Sequence, residues 1–225
     1  MNDRPAVQTE RTTAYRYPER VTYDRADAYA ILDEALHVHV GFATEEGPFV
    51  IPSLHAREGD RLILHGSAHG RFVKTVSSGA PVCVTATIID GLILGRAASH
   101  HSAAYRSVMV FGTATPVEDA AERAEALARV VENVVPGRLS GANAARRPSV
   151  EEAEYTAIMT MPISEFSIKV RAGFARDEPK DDEVAAWAGT IPLTTTPGAA
   201  VPDAITGTRF SAPAYDPTIH RFRQD

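Results

Sequence analysis

The chain reads as a mainly β, α+β protein, an antiparallel barrel with peripheral helices, and three observations predict it. Between residues 37 and 115 the apolar period is mostly two, broken every few positions by turn residues. Helical periodicity is confined to short stretches at the ends of that region and in its gaps. Strand–helix–strand alternation and a G-x-G-x-x-G run are both absent, which excludes a dinucleotide-binding parallel sheet. A chain of 225 residues makes one elaborated domain, able to bury roughly 70% of its unfolded surface without disulfides or metals.

Residues 1–20 are rich in Arg, Thr and Pro without a period, and read as an N-terminal arm, mobile or laid on a neighbour. Asp24 caps a first helix whose apolar face is Ala28, Ile31, Leu32 and Ala35. Strands are expected over 37–42, 49–54 and 61–65, separated by the turn sequences Glu45-Glu46-Gly47 and Glu58-Gly59-Asp60. A short helix over 69–77 turns Phe72, Val73 and Val76 inward. The Val/Thr-rich run 81–89 is apolar on both faces and reads as a central strand. Asp90-Gly91 is expected to turn the chain into 92–94, and another strand covers 105–115.

Asp119 and Glu122 form a capping box for a helix with Ala120, Ala124, Leu127, Val131 and Val134 on its apolar face, stopped by Pro136-Gly137. Ser149 to Glu152 is a second box, opening a helix that ends near Met161. Residues 165–171 alternate again, with Phe166, Ile168 and Val170 on one face and Ser167, Lys169 and Arg171 on the other. Six Pro and four Gly in residues 171–225 are too irregular for a second core. The expected division is an arm over 1–20, a barrel over 21–172, and an extended tail over 173–225 packed on the barrel or on a partner.

Charge and cysteine content narrow the function. With 23 Lys+Arg against 29 Asp+Glu the net charge is −6, which disfavours general nucleic-acid binding. Cys83 is the single cysteine, so neither an intrachain disulfide nor a Cys₄ or Cys₂His₂ zinc site is available. Met1 to Arg20 lacks the apolar run of a signal peptide, and no stretch approaches ~18 apolar residues. These features predict a soluble, cytoplasmic protein with no membrane partner.

The most informative segment is Leu62-Ile63-Leu64-His65-Gly66-Ser67-Ala68-His69-Gly70-Arg71-Phe72-Val73-Lys74. A strand ends, small residues follow, and a helix opens with Arg71 and Lys74 on one face. Free backbone N–H groups, two cations and the Ser67 hydroxyl suit a phosphate. A capped surface helix with two solvated cations satisfies the same pattern.

This segment resembles the FMN phosphate-binding turn of the pyridoxamine-phosphate-oxidase-like, FMN-binding split-barrel superfamily. Phe49-Val50-Ile51-Pro52-Ser53-Leu54 is similar to that family's second strand. His100-His101-Ser102-Ala103-Ala104-Tyr105-Arg106-Ser107-Val108-Met109-Val110-Phe111-Gly112 resembles a segment of its nitroimidazole-reductase-like (Nim-like) branch. The likeness runs over about residues 20–172, and the order of elements carries it.

The resemblance implies a split β-barrel homodimer with FMN at the subunit interface. Arg71 matches the family's phosphate arginine. Phe72 stands where the oxidase branch often has lysine, so Lys74 is assigned the second charge. That departure and the unmatched C-terminus argue against a true pyridoxamine phosphate oxidase. The implied cofactor set is Val50, Ile51, Pro52 and Ser53 beside the ring, with Gly66, Ser67, Arg71 and Lys74 at the phosphate, and His65, where the strand meets that turn, either contacts the flavin or a substrate or satisfies backbone groups. Backbone at 82–85 is a further candidate for the ring. Arg106 reaches the phosphate or ribityl chain, or pairs with an acid.

The implied activity is electron or hydride transfer between reduced flavin and a small organic acceptor, nitro- or quinone-like, with no catalytic acid assigned. Alternatives are a flavin-binding module without turnover, or a relative using F420 or haem. His37 and His39 share a strand face and could chelate a metal, but no third ligand has fixed spacing, and no metal site is assigned. His101 lies in a loop that the Nim-like reading brings near the site. Lys169 and Arg171 suit an anion, a partner chain or a solvated edge. Cys83 reads as a buried small residue, and Trp187 as a packing anchor for the tail or a cap on the flavin.

Overall fold

The computed structural model describes residues 6–141, 144–205 and 212. The expected features of residues 1–5, 206–211 and 213–225 lie outside them. The chain runs β1 (Val21–Thr22), α1 (Arg25–Glu34), β2 (Val38–Thr44), β3 (Gly47–Ser53), β4 (His55–Glu58), β5 (Arg61–Ser67), α2 (Arg71–Ser77), β6 (Pro81–Leu94), β7 (Ser102–Thr113), β8 (Thr115–Pro116), α3 (Ala120–Val134), α4 (Val150–Glu154), β9 (Thr156–Pro162), β10 (Glu165–Arg171) and β11 (Gly189–Pro192).

Two antiparallel sheets result. The main sheet has the order β1-β10-β7-β6-β2-β3, with β11 added to β6, and the small sheet has the order β4-β5-β9-β8. This is a split barrel with few helices, not a closed one. The chain crosses between the sheets at Leu54, at buried Ala114 and at buried Ile163. The core between the sheets joins Val38, Val40, Val84, Val108, Val110 and Phe166 of the main sheet to Leu62, Leu64, Met159 and Met161 of the small one. Helix α1 adds Ala28, Ile31 and Leu32. Asp24 accepts a hydrogen bond from the Asp27 N–H, the expected cap.

On its outer face the small sheet carries a second cluster, Ala56, Ile63, Val117 and Ile158 against Ala126, Val130 and Leu127 of α3. That covering explains why Leu62, Ile63 and Leu64 are all buried although their side chains alternate. It also corrects the expected face of α3, where Val131 and Val134 are only half-buried while Ala126 and Val130 meet the sheet. The helix carries apolar residues around much of its girth, and the sheet selects the stripe.

Two other expectations fail for tertiary reasons. The helix opened by Ser149 ends at Glu154, and residues 156–162 form β9 instead. They pair residue for residue with all of β5, from Ser67↔Thr156 to Arg61↔Pro162, and a helix there would leave that β5 edge unpaired. Asp90-Gly91 does not reverse the chain, because β6 runs through it with a bulge between Ile89 and Gly91. A Cβ at Gly91 would lie 2.8 Å from the Ile191 carbonyl oxygen, so the glycine admits β11, a partner about a hundred residues away.

Parts of both flanking segments bond to the body. The Val7 N–H donates to Ser164 O at 2.8 Å, and Arg11 binds the Glu165 carboxylate. The Arg11 guanidinium, with help from the Thr9 hydroxyl, holds the Glu165 carboxyl below its ordinary range. The tail pairs through β11 with Gly91 to Leu94. No helix among the described residues is long and apolar enough to cross a membrane.

Candidate functional site

The groove of interest sits where the chain leaves the main sheet at the end of β3, beside the end of β5 and the start of α2. Phe42, Phe49, Ile51, Leu54, Phe72 and Val73 supply its apolar walls, and Pro52, Ser53, His65, Gly66, Ser67, Gly70 and Arg71 the rest. Its volume is about 550 Å³, within the roughly 300–1,000 Å³ typical of small-molecule and cofactor sites.

Local sequence explains the shape. Residues 49, 51 and 53 alternate inward on β3 and present Phe, Ile and Ser to the groove. The inward Phe72, Val73 and Val76 pin α2 to the core. Gly66 lets α2 close onto β5, since a Cβ there would lie 3.1 Å from both Phe72 Cδ1 and Val73 Cγ2. Gly70 allows the tight turn, its N–H donating to Ser67 O at 2.8 Å.

Polar groups rim this apolar slot. The Ser53 hydroxyl donates to Leu54 O at 2.8 Å. His65 Nδ1 lies 3.1 Å from Leu54 O. A carbonyl only accepts, so Nδ1 carries the proton, and in the neutral ring Nε2 is left as an acceptor. Arg71 stands at the mouth, its guanidinium 4.5 Å from the Phe49 ring centroid and 3.5 Å from Glu46 Oε2. Both ionic side chains are more than half exposed (56% and 70%). Such a pair is worth at most about 1 kcal/mol, so a stronger anion can displace Glu46.

The structure thus gathers Ile51, Pro52, Ser53, His65, Gly66, Ser67 and Arg71 of the sequence-derived set and leaves three others out. Val50 points to the opposite face of β3 and is exposed. Lys74 is exposed one turn along α2 and is not in the lining. Arg106 is elsewhere, engaged by two acids. It donates to Glu34 Oε2 at 2.5 Å and Oε1 at 2.8 Å, and to Asp90 Oδ1 at 2.7 Å. These bonds, Glu34 first, raise its already high pKa and fix its charge. Of the two roles open to Arg106 the structure takes the acid pair, since four of its five N–H donors already go to two carboxylates. Backbone at 82–85 is also spent, paired on one side with β2 and on the other with β7.

The remaining candidates are dispersed. His37 and His39 are exposed, edge-to-face at 5.1 Å. His101 is exposed, its Nδ1 3.2 Å from Ala97 O. Cys83 is half-buried, and burial pushes its thiol pKa up, away from nucleophilic use. Trp187 is largely exposed, and its ring fills the space beside Gly189 where a Cβ would lie 2.7 Å away. Lys169 and Arg171 stay on β10, beside β1 and β7.

Sequence reasoning missed Phe42 and Leu54 as walls and Glu46 as the partner of Arg71, which no local pattern marks. It also missed His100, Asp177 and Asp181. Among the described residues these form the one group of three whose possible ligand atoms lie within 4.8 Å of one another. Asp177 accepts the Arg96 N–H at 2.9 Å and faces His100 Nδ1 at 3.1 Å. The Arg96 N–H first, then His100 and the Ala97 N–H, hold its carboxyl below the ordinary range.

Fold and groove together define a split-barrel protein with a preformed apolar cleft, rimmed by Arg71 and a few polar side chains, at the seam between its sheets. The family model for pyridoxamine 5'-phosphate oxidase matches residues 24–170, and the chain belongs to that family. Among solved structures it is similar to the flavocytochrome Anf3 from Azotobacter vinelandii, at 34% identity and TM-score 0.82, over 98% of this chain and 100% of that one. It is also similar to an FAD- and haem-binding protein from Mycobacterium smegmatis, at 27% identity and TM-score 0.76, over 90% of this chain and 96% of that one. A candidate 5-nitroimidazole antibiotic resistance protein from Bacteroides thetaiotaomicron shares the fold, at 22% identity and TM-score 0.56, over 67% of this chain and 86% of that one. No curated protein matches the chain.

Proposed function

We propose that this chain is a flavin-binding redox protein that passes electrons between reduced flavin and a small organic acceptor, nitro- or quinone-like. The observation that carries the reading is the groove itself, an apolar slot with one arginine at its mouth whose ion-pair partner, Glu46, is exposed and displaceable. Its residues fit a flavin. The walls from Phe42, Ile51, Leu54 and Phe72 suit a flat apolar ring, Ser53 and His65 offer polar atoms beside it, and Arg71 with Ser67 suits a phosphate. Bound flavin supplies the electron or hydride transfer. The chain's own part is to hold the phosphate, orient the ring, exclude water and present His65 Nε2 as an acceptor. FMN was the nucleotide expected from sequence, and the groove has the parts for it or for a larger flavin.

Likeness over nearly the full chain to a flavocytochrome favours a second reading in which haem accompanies the flavin. His37 and His39, exposed on the main sheet, have imidazoles suited to axial ligation. A homodimer belongs to the proposal as well. The outer face of the main sheet exposes Val50, Ile89 and Met109, surface that a second copy would cover.

The absorption spectrum of the purified protein tests these readings. An oxidised-flavin band is expected, a Soret band would add haem, and a colourless protein that takes up no added flavin would refute the proposal. Anaerobic reduction by NAD(P)H, followed by reoxidation with a nitroaromatic, separates an enzyme from a carrier.

A further inference from the structure

We infer that the β1 edge of the main sheet carries a phosphate-binding site of its own, built from Arg16, Arg20 and Arg171 around the Tyr17 hydroxyl, with Lys169 on its flank. This site goes beyond the flavin reading and does not rest on it. Four strands of the main sheet separate β1 from β3, where the groove opens.

Strand pairing brings the cations together. β1 runs antiparallel to β10 with Val21 opposite Lys169, so the residues before β1 lie beside the end of β10, where Arg171 stands. Lys169 and Arg171 are two apart on that strand and share one face. Residues 18–20 make a 3₁₀ turn there, and the Arg20 guanidinium lies over the Tyr17 ring, 4.0 Å from its centroid. Arg16 lies over the same ring at 4.8 Å, and its Nη2 donates to the Tyr17 hydroxyl at 3.1 Å. Arg16, and after it Arg20 and Arg171, hold that hydroxyl below its ordinary pKa.

The first observation for a ligand is that these charges lack acids. Elsewhere the fold supplies them: Arg11 holds Glu165, Arg57 holds Asp33, and Arg106 holds Glu34 and Asp90. Here, among the described residues, the one carboxylate paired with any of the four cations is Glu19, 3.9 Å from Arg20 Nε and itself 53% exposed. The Arg20 side chain is only 16% exposed, and Arg171 Nε is buried without a hydrogen-bond partner. Gathering half-buried like charges without acceptors is unfavourable. An anion shared among the guanidiniums removes that cost.

The backbone supplies a second, independent observation. Tyr17, at φ 57°, is the one non-glycine residue in the left-handed region among the described residues. Holding an L-residue there costs free energy, and such strain gathers at ligand-binding positions. At Tyr17 it accompanies a ring seated against two guanidiniums.

Phosphate is the class these donors fit. Each guanidinium offers a planar fork of N–H groups matched to phosphate oxygens, and the Tyr17 hydroxyl, accepting from Arg16, keeps its own proton to donate. A phosphate group has at least three oxygens to share among them, a carboxylate two. The free ion and a small phosphate ester present the same oxygens.

Equilibrium dialysis of the full chain against radiolabelled inorganic phosphate, at constant ionic strength, tests the site. Arg71→Ala protein is run beside wild type, which removes any phosphate held at the groove mouth. One saturable phosphate per chain is expected to remain in Arg71→Ala. In that background Arg171→Gln and Arg20→Gln should each weaken it at least about tenfold, and Tyr17→Phe about two- to tenfold. Lys180→Ala, an exposed cation elsewhere, should leave it unchanged. If Arg171→Gln does not fold, Arg20→Gln and Tyr17→Phe decide the matter. Unlabelled AMP displacing the label better than unlabelled phosphate supports the site with an ester as its ligand, and the reverse order supports it with the free ion. Three results overturn the inference: no saturable phosphate in Arg71→Ala, undiminished affinity in the folded arginine variants, or displacement by acetate in preference to phosphate.

Discussion

Arg71 and Arg106 are both sequence candidates for holding a phosphate, and the fold treats them in opposite ways. Arg106 is half-buried between Glu34 at the end of α1 and Asp90 at the β6 bulge, donating to both carboxylates. Arg71 stands at the mouth of an open groove, stacked on Phe49, with one exposed glutamate 3.5 Å away. A cation whose donors are mostly spent on two carboxylates holds the structure together, whereas one with unspent donors beside an apolar slot can bind something. Residue type does not distinguish them. The difference lies in the acids that the topology delivers. Glu34 and Asp90 are 72 and 16 residues from Arg106, and only the packing of α1 on the β6–β7 hairpin brings the three together.

Breaking each arginine should therefore give complementary phenotypes. Arg106→Ala leaves two partly buried carboxylates facing each other. It should cost about 3 kcal/mol of stability, read as a lower midpoint in urea unfolding, with little change in flavin affinity per folded molecule. Arg71→Ala should do the reverse. Loss of a charge-assisted contact, about 1.5–3 kcal/mol, should weaken flavin binding roughly ten- to hundredfold by titration, and the apoprotein should melt within error of wild type.

Gly66→Ala tests the packing that shapes the groove. The new Cβ meets Phe72 and Val73 at 3.1 Å, so α2 must shift, costing about 1 kcal/mol in stability and loosening flavin binding in parallel. Lys74→Ala sharpens the limit of the site. Outside the lining, it should change affinity by less than about 0.5 kcal/mol, and even that small effect should vanish at high salt.

The smallest effect concerns the tail clasp. Asp177 has a depressed pKa, so its contribution to stability is present above the ordinary aspartate value of 3.8 and is lost as pH falls through the lower folded value. Asp177→Asn should flatten the acid limb of the stability profile below about pH 4, while wild type keeps that slope.

How much of this was legible in sequence follows from how local each determinant is. The Asp24 and Asp119 caps, the inward triad of α2 and the centrality of β6 follow from spacing within a few residues, and the structure has them all. The segment 156–162 read as helix because its capping box is genuine, but the box governs only five residues before the edge of β5 claims the chain. Asp90-Gly91 read as a turn because the strand that needs its glycine, β11, lies far along the sequence. The candidate site divides in the same way. Ile51, Ser53, Gly66, Ser67 and Arg71 fall in two short runs that sequence could mark, while Phe42, Leu54 and Glu46 join them only through the β2–β3 pairing and the crossing between sheets.

The central claim is that the groove at the sheet seam holds a flavin through Arg71. Side-by-side calorimetric titration of wild-type and Arg71→Ala apoprotein with FAD tests it most directly. The account predicts saturable one-to-one binding per chain in wild type and a loss of at least about tenfold in the variant. Equal affinity in the two proteins would contradict it.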